Sequence, residues 1–231
     1  MTAEIAILNK SAVALAADSA VTSRLKGKRK ILPTANKLFQ LSGYNPIGIM
    51  VYGNAEFMGI PWETIIKIYR ENLENKTFPT LENYAAHFFS YIENNRLIFP
   101  ESFQEEFFVT VIYNYFNSIK NSIDKKVKEI AGGKEKIPLS QIKEVIRETI
   151  EKHHTLWKKS ENLQYPADHY QDIIDKFKKT IATAKKDIFQ KLPISACLNN
   201  KLIEMVGFFA CKKRFLFKEC SGIVITGFGN D

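Results

Sequence analysis

Residues 3–18 read Ala3-Glu4-Ile5-Ala6-Ile7-Leu8, Asn9-Lys10-Ser11, Ala12-Val13-Ala14-Leu15-Ala16-Ala17 and Asp18. Two short apolar runs around a three-residue polar break predict a β-hairpin. The next strand signals are Lys37-Leu38-Phe39-Gln40-Leu41, which alternates, and Ile47-Gly48-Ile49-Met50-Val51-Tyr52, bounded by Pro46 and Gly53. Between the hairpin and these strands, residues 23–30 are rich in Lys and Arg and read as a solvated basic loop. Short strands at the start of a chain predict a sheet that is built early.

Beyond residue 58 the period becomes helical. Pro61 suits a first helical turn, and Trp62, Ile65, Ile66, Tyr69 and Leu73 share one face. Thr80 can cap a second helix with the stripe Leu81, Tyr84, Ala85, Phe88 and Ile92. A third segment carries Phe107, Phe108, Val111, Tyr115 and Ile119 and ends near Gly132-Gly133. A fourth opens at Ser140 and is closed by Tyr165-Pro166, and a fifth runs from Asp168 through Ile181 towards Pro193. Ser221 to Gly229 is β-branched and glycine-bounded, a return to strand.

Hydrophobic residues make up 45% and charged residues 25% of the 231 positions, which excludes collagen-like, low-complexity and wholly disordered classes. No apolar run approaches the ~20 residues that cross a bilayer, so no membrane partner is expected. The segment before Ala14-Leu15-Ala16 contains Glu4, Asn9 and Lys10 and lacks the apolar core of a signal peptide. Cys197, Cys211 and Cys220 form no CxxC pair, which argues against a disulfide framework or zinc site and for a reducing cytoplasm. The formal charge of +8 permits an acidic partner. Lys26-Gly27-Lys28-Arg29-Lys30 has no interleaved aromatic residue, so nucleic acid is not expected to be the partner. His153 and His154 lack the i,i+4 spacing of helical metal ligands and read as surface and boundary residues.

The chemistry lies near the start. Thr2 follows Met1, a residue commonly removed before a small side chain. An N-terminal threonine combines a nucleophile with a base, because its own α-amine can accept the Oγ proton near neutral pH. If Asp18 and Lys37 point to the same end of the sheet, the ammonium favours deprotonation of the nucleophile and the aspartate holds that ammonium charged.

Ala14-Leu15-Ala16-Ala17-Asp18-Ser19-Ala20-Val21-Thr22, Asn36-Lys37-Leu38-Phe39-Gln40-Leu41-Ser42 and Ile49-Met50-Val51-Tyr52-Gly53-Asn54-Ala55 together resemble the start of proteasome β-type subunits, members of the N-terminal nucleophile hydrolases. The resemblance implies Thr2 as nucleophile with its α-amine as general base, Lys37 as the group that lowers the nucleophile's pKa, and Asp18 as the partner of Lys37. It also implies an oxyanion hole at the Gly53 N–H, and substrate binding by Thr22. It extends through the helices at residues 62–75 and 81–92 and resumes at residues 221–229.

The expectation is therefore an α/β (α+β) chain with an N-terminal-nucleophile-hydrolase-like αββα sandwich, incomplete at its C-terminus and carrying a mostly helical insertion. Residues 1–94 would form the N-terminal half, 95–219 the insertion and 220–231 a returning strand. The implied activity is threonine-type hydrolysis of a peptide or other amide, with no metal or organic cofactor. The implied assembly is a homo-oligomer, a ring by resemblance. An inactive assembly subunit of the same fold and a small-amide acylase are the alternatives.

Overall fold

Strands β1 (Glu4–Leu8) and β2 (Val13–Ala17) pair antiparallel, with Glu4 opposite Ala17 and Leu8 opposite Val13. Asn9 makes the turn: its side-chain oxygen accepts from the backbone N–H groups of Ser11 and Ala12, both at 2.8 Å. Asp18 N–H donates to the Ala3 carbonyl at 3.0 Å, so the pairing reaches one step past the strand ends. The structure is a computed structural model that describes residues 3–18, 21–25, 28–32, 36–132, 137–166, 168–213 and 220–229, with the backbone alone described for 21–25 and 28–32.

The basic stretch expected as a loop is instead a second hairpin. β3 (Val21–Leu25) and β4 (Lys28–Leu32) pair from Val21 opposite Leu32 to Leu25 opposite Lys28. Val21, Thr22, Leu25, Ile31 and Leu32 supply the strand preference that the intervening charges mask in a reading by composition.

β5 (Leu38–Gln40) and β6 (Ile47–Gly53) follow. A small hairpin of β7 (Glu56–Phe57) and β8 (Ile60–Pro61) then leads into α1 (Trp62–Leu73) and α2 (Leu81–Asn94). Thr80 caps α2, its hydroxyl accepting from Asn83 N–H at 3.3 Å. The last strand, β9 (Ser221–Gly227), joins the far side of β6, so β6 is the centre of an antiparallel three-stranded sheet in the order β5-β6-β9.

The two-residue period divides this sheet. Ile47, Ile49 and Val51 of β6, with Ile223 and Ile225 of β9, face one core with Trp62, Ile65, Ile66, Tyr69, Tyr84 and Phe88 from the two helices. Tyr69 and Phe88 meet edge to face at 4.9 Å, both fully buried. On the opposite face β2 packs onto β5 and β6. A Cβ on Gly48 would lie 3.3 Å from the Leu15 side chain, and Met50 is buried there. Gly222 is required by its neighbour: a Cβ would fall 1.9 Å from the Tyr52 ring that covers it across the strands. Helices, sheet and hairpin thus form three layers in this part of the chain. Ile5 and Ile7, on the outer face of the hairpin, are 58% and 64% exposed.

The chain divides into two compact units, Met1–Gln104 with Phe217–Asp231, and Glu105–Leu216. The second is helical among its described residues. It holds most of α3 (Glu101–Ala131), then α4 (Leu139–Lys158), α5 (His169–Lys176), α6 (Lys178–Phe189) and α7 (Ala196–Cys211). Its core draws on Ile112, Phe116, Ile119 and Ile123 of α3, Ile146 and Ile150 of α4, Ile181 and Ala184 of α6, and Leu202, Met205 and Val206 of α7.

Three details depart from the sequence expectation. The fourth helix stops at Lys158, because residues 161–163 tie instead to the end of α7, through Lys213 N–H to Glu161 O at 2.8 Å and Leu163 N–H to Cys211 O at 2.8 Å. The fifth is split at Phe177, which breaks helical geometry while its ring packs 4.6 Å from that of Phe108. The third is α7, which the strand and helix signals did not mark. Its Leu198, Leu202, Met205, Val206 and Phe209 are buried at helical spacing, and α4 and α5 both pack on it.

The nearly complete enclosure of Phe88 sets one expectation. Phe88→Ala lowers unfolding stability by about 3–5 kcal/mol through the lost transfer energy and the cavity left behind. The shift in urea midpoint, at unchanged slope, measures it.

Candidate active site

The alternation of β5 and β6 sets the centre of the site. Lys37 stands immediately before β5, opposite the Gly53 end of β6, and its carbonyl accepts from Val51 N–H at 2.8 Å. Its side chain is only 8% exposed. An ammonium so far from water needs a counter-charge, and Asp18 supplies it: Lys37 Nζ donates to Asp18 Oδ1 at 2.5 Å. The hydrogen bond from Lys37, aided by its charge, holds the Asp18 carboxyl below its ordinary acid range, against the opposing effect of desolvation. The two residues are 19 apart in sequence and come from different sheets, so tertiary packing makes the pair.

A second carboxylate is close. Glu4 Oε1, on the inner face of β1, lies 4.0 Å from Lys37 Nζ. Nothing in the sequence reading assigned Glu4 to the site. The signal for it was a lone charge within an apolar strand.

Gly53 ends β6 with φ +78°, a conformation that side chains disfavour. A Cβ there would also fall 2.1 Å from the Cys220 carbonyl oxygen, so only glycine fits. The loop after it is clamped. Trp62 Nε1 donates to Ser221 Oγ, and Ser221 Oγ donates to the Asn54 carbonyl, both at 2.8 Å. Helix α1, strand β9 and the loop following Gly53 are held by that one hydroxyl, a role no local pattern marks.

Lys37 and Gly53 line the same small cavity, about 120 Å3, with Val51, Tyr52, Ala55 and Trp62. Its rim carries Asn36 and Glu63, joined at 3.3 Å, and Glu63 also accepts from Lys67 at 2.7 Å. Those two donors, Lys67 first, hold the Glu63 carboxyl below its ordinary value. Of the residues marked from sequence, Asp18, Lys37 and Gly53 are thus brought to one end of the sheet. Thr2 and the side chain of Thr22 lie outside the described residues.

The helical unit holds other candidates, and several of their charged groups are paired with one another. The wider cavity of about 560 Å3 beside Lys143, Arg147, Ser195 and Cys197 is bordered by ion pairs of Arg147 with Glu144 and Glu151, and of Lys201 with Glu151. Of the two histidines expected as surface and boundary residues, His153 is half-buried, and His154 lies deeper than that expectation. His154 is buried and its Nε2 lies 2.6 Å from Glu204 Oε2, while the Tyr115 hydroxyl lies 2.8 Å from His153 Nδ1 and accepts from Trp157 Nε1 at 2.7 Å. Adjacent helix positions put the two rings in different environments, each with a structural partner.

No protein-family model, curated protein or solved structure matches the chain. Among the described residues, no helix is long and apolar enough to cross a membrane.

The Asp18–Lys37 pair has a pH signature. Because folding depresses the Asp18 pKa, its stabilising contribution is complete above the unfolded carboxyl's value of about 3.9 and disappears as pH falls through the lower folded value. Asp18→Asn is therefore less stable than the parent near neutrality, and the gap between them closes at the acid end. Urea midpoints of the two proteins from pH 7 to pH 2.5 test this; a gap that persists undiminished at the lowest pH contradicts it.

Proposed function

We propose that this chain is a threonine-type amide hydrolase acting on peptides, with a proteasome β-subunit-like, N-terminal-nucleophile-hydrolase arrangement in its sheet-bearing unit. One observation carries the reading: the nearly buried Lys37 ammonium, held by Asp18 at 2.5 Å, lines the same cavity as Gly53. A hydrolase of this class needs a fixed cation and a side-chain-free backbone beside its nucleophile. Glu4 reaches Lys37 from the inner face of β1, the first strand after Thr2 in the sequence.

The chemistry follows from these groups. Once Thr2 is the first residue, its α-amine takes the Oγ proton as Oγ attacks the scissile carbonyl. The Lys37 charge favours that deprotonation, and the Gly53 N–H serves as a donor to the developing oxyanion. The amine leaving group departs with the proton, leaving an ester on Thr2. Water, activated by the same α-amine, hydrolyses the ester and restores the threonine. Thr22 would hold the backbone of an extended substrate. The three free cysteines, two of them exposed, support a reducing cytoplasm as its place of work.

A second reading, an assembly subunit without catalysis, draws on the exposed Ile5, Ile7 and Leu8 of the first hairpin. An apolar patch of that kind also supports association of copies in the catalytic reading.

Intact mass before and after treatment with a peptide epoxyketone, which needs both a threonine Oγ and a free α-amine, separates the two. The hydrolase gives a chain beginning at Thr2 with one adduct. Thr2→Ala abolishes the adduct, and Lys37→Ala slows its formation by roughly 100-fold or more, the scale of a lost electrostatic stabiliser. A folded chain with a free Thr2 that stays unmodified is the result expected of the assembly subunit.

A further inference from the structure

The Lys37 ammonium has three hydrogens to place, and the Asp18 contact at 2.5 Å accounts for one. Of the two carboxylates within 4.0 Å of it, Asp18 is 34% exposed, whereas Glu4 is 16% exposed. Glu4 Oε1 is buried and accepts no hydrogen bond among the described residues, although it lies 4.0 Å from Nζ. A buried carboxylate oxygen without a donor is costly, and a charge in that position is retained only against an opposite charge. The hairpin register fixes the arrangement, since Glu4 stands opposite Ala17, the residue before Asp18. Both carboxylates therefore approach one cation from neighbouring strands.

The remaining charged groups near this cavity are spoken for. Glu63 of α1 accepts from Lys67 at 2.7 Å and from Asn36 at 3.3 Å. Among the described residues, the groups that face Lys37 are Asp18 after β2, Glu4 on β1, and Glu63 across the cavity.

We propose that Glu4 is a positioning residue of this site, the second carboxylate of Lys37, so that the cation is held from two strands and its field at the nucleophile is tempered. The consequence for catalysis rests on the threonine-hydrolase reading; the hold on Lys37 does not. Two carboxylates around one ammonium leave the cluster with a net negative charge. Replacing Glu4 by a neutral isostere removes that excess, and the cation, then balanced by Asp18 alone, favours a deprotonated nucleophile at lower pH.

The test uses the full chain, as parent, Glu4→Gln and Glu4→Asp, each checked for an unchanged thermal unfolding profile. Competitive acetylation of lysines at fixed pH, read by peptide mass spectrometry, reports how firmly each ammonium keeps its proton. Glu4→Gln raises labelling of Lys37 relative to Lys67 by roughly threefold or more, the effect of one nearby charge, while Glu4→Asp restores the parent ratio. In the same proteins, the pH midpoint of epoxyketone adduct formation moves down in Glu4→Gln and returns in Glu4→Asp. An unchanged Lys37 ratio overturns the proposal, as does an unmoved pH midpoint in a reactive chain. If the parent forms no adduct, the threonine reading fails, and the labelling ratio alone decides whether Glu4 holds Lys37.

Discussion

One buried positive charge organises the sheet-bearing unit. Lys37 precedes a three-residue strand, and its ammonium is almost closed off from water. A lysine left there without partners would cost more than the local packing returns. The β1–β2 hairpin therefore has to lie where it does, with the turn-distal end of both strands over Lys37. Leu15 above Gly48 fixes the apolar contact between the two layers, and Asp18 and Glu4 fix the polar one. The helices act on the other face of the same sheet. They bury Ile49 and Val51 and, through Trp62 and Ser221, immobilise the loop that begins at Gly53. Rigid support on both faces is what a preorganised site requires, because a cation or an N–H donor that wanders by an ångström loses most of its effect.

Local patterns made much of this architecture readable. The hairpin at residues 3–17 was visible because apolar runs flank a break whose first residue, Asn9, closes the turn with its own side chain. The α1 and α2 stripes were visible because each buries one face only, and Thr80 caps as its position predicts. The elements that sequence concealed share a different physical origin. β3 and β4 are strands whose charges hide their β-branched positions. α7 does carry a helical stripe, Leu198, Leu202, Met205, Val206 and Phe209, which went unmarked, and the break at Phe177 is set by where one ring packs. The short β7–β8 hairpin offers two residues a side, too few for any alternation to register.

The site was legible in part for the same reason. Asp18 and Lys37 interrupt or open apolar strands, and Gly53 closes one, so each stands out locally. Their meeting at 2.5 Å is a property of the packed layers. Glu4 went unassigned because a single acidic residue at a strand start is most often solvated, and only the register shows that it points inward. The Trp62–Ser221–Asn54 clamp joins residues 159 apart or more, which no spacing rule can reach. Equally, the helical unit shows how paired charges remove candidates. Arg147, Glu151 and Lys201 surround an inviting cavity, yet each is already answered by a neighbour.

The central claim is that the Lys37 cation serves a threonine at the head of the chain. An experimental structure of the protein beginning at Thr2 tests it most directly, through the separation of Thr2 Oγ and Lys37 Nζ. The account predicts hydrogen-bond reach, about 3 Å, with Asp18 still on the ammonium. A threonine hydroxyl more than about 6 Å from Lys37, beyond reach even through one bridging water, would contradict it.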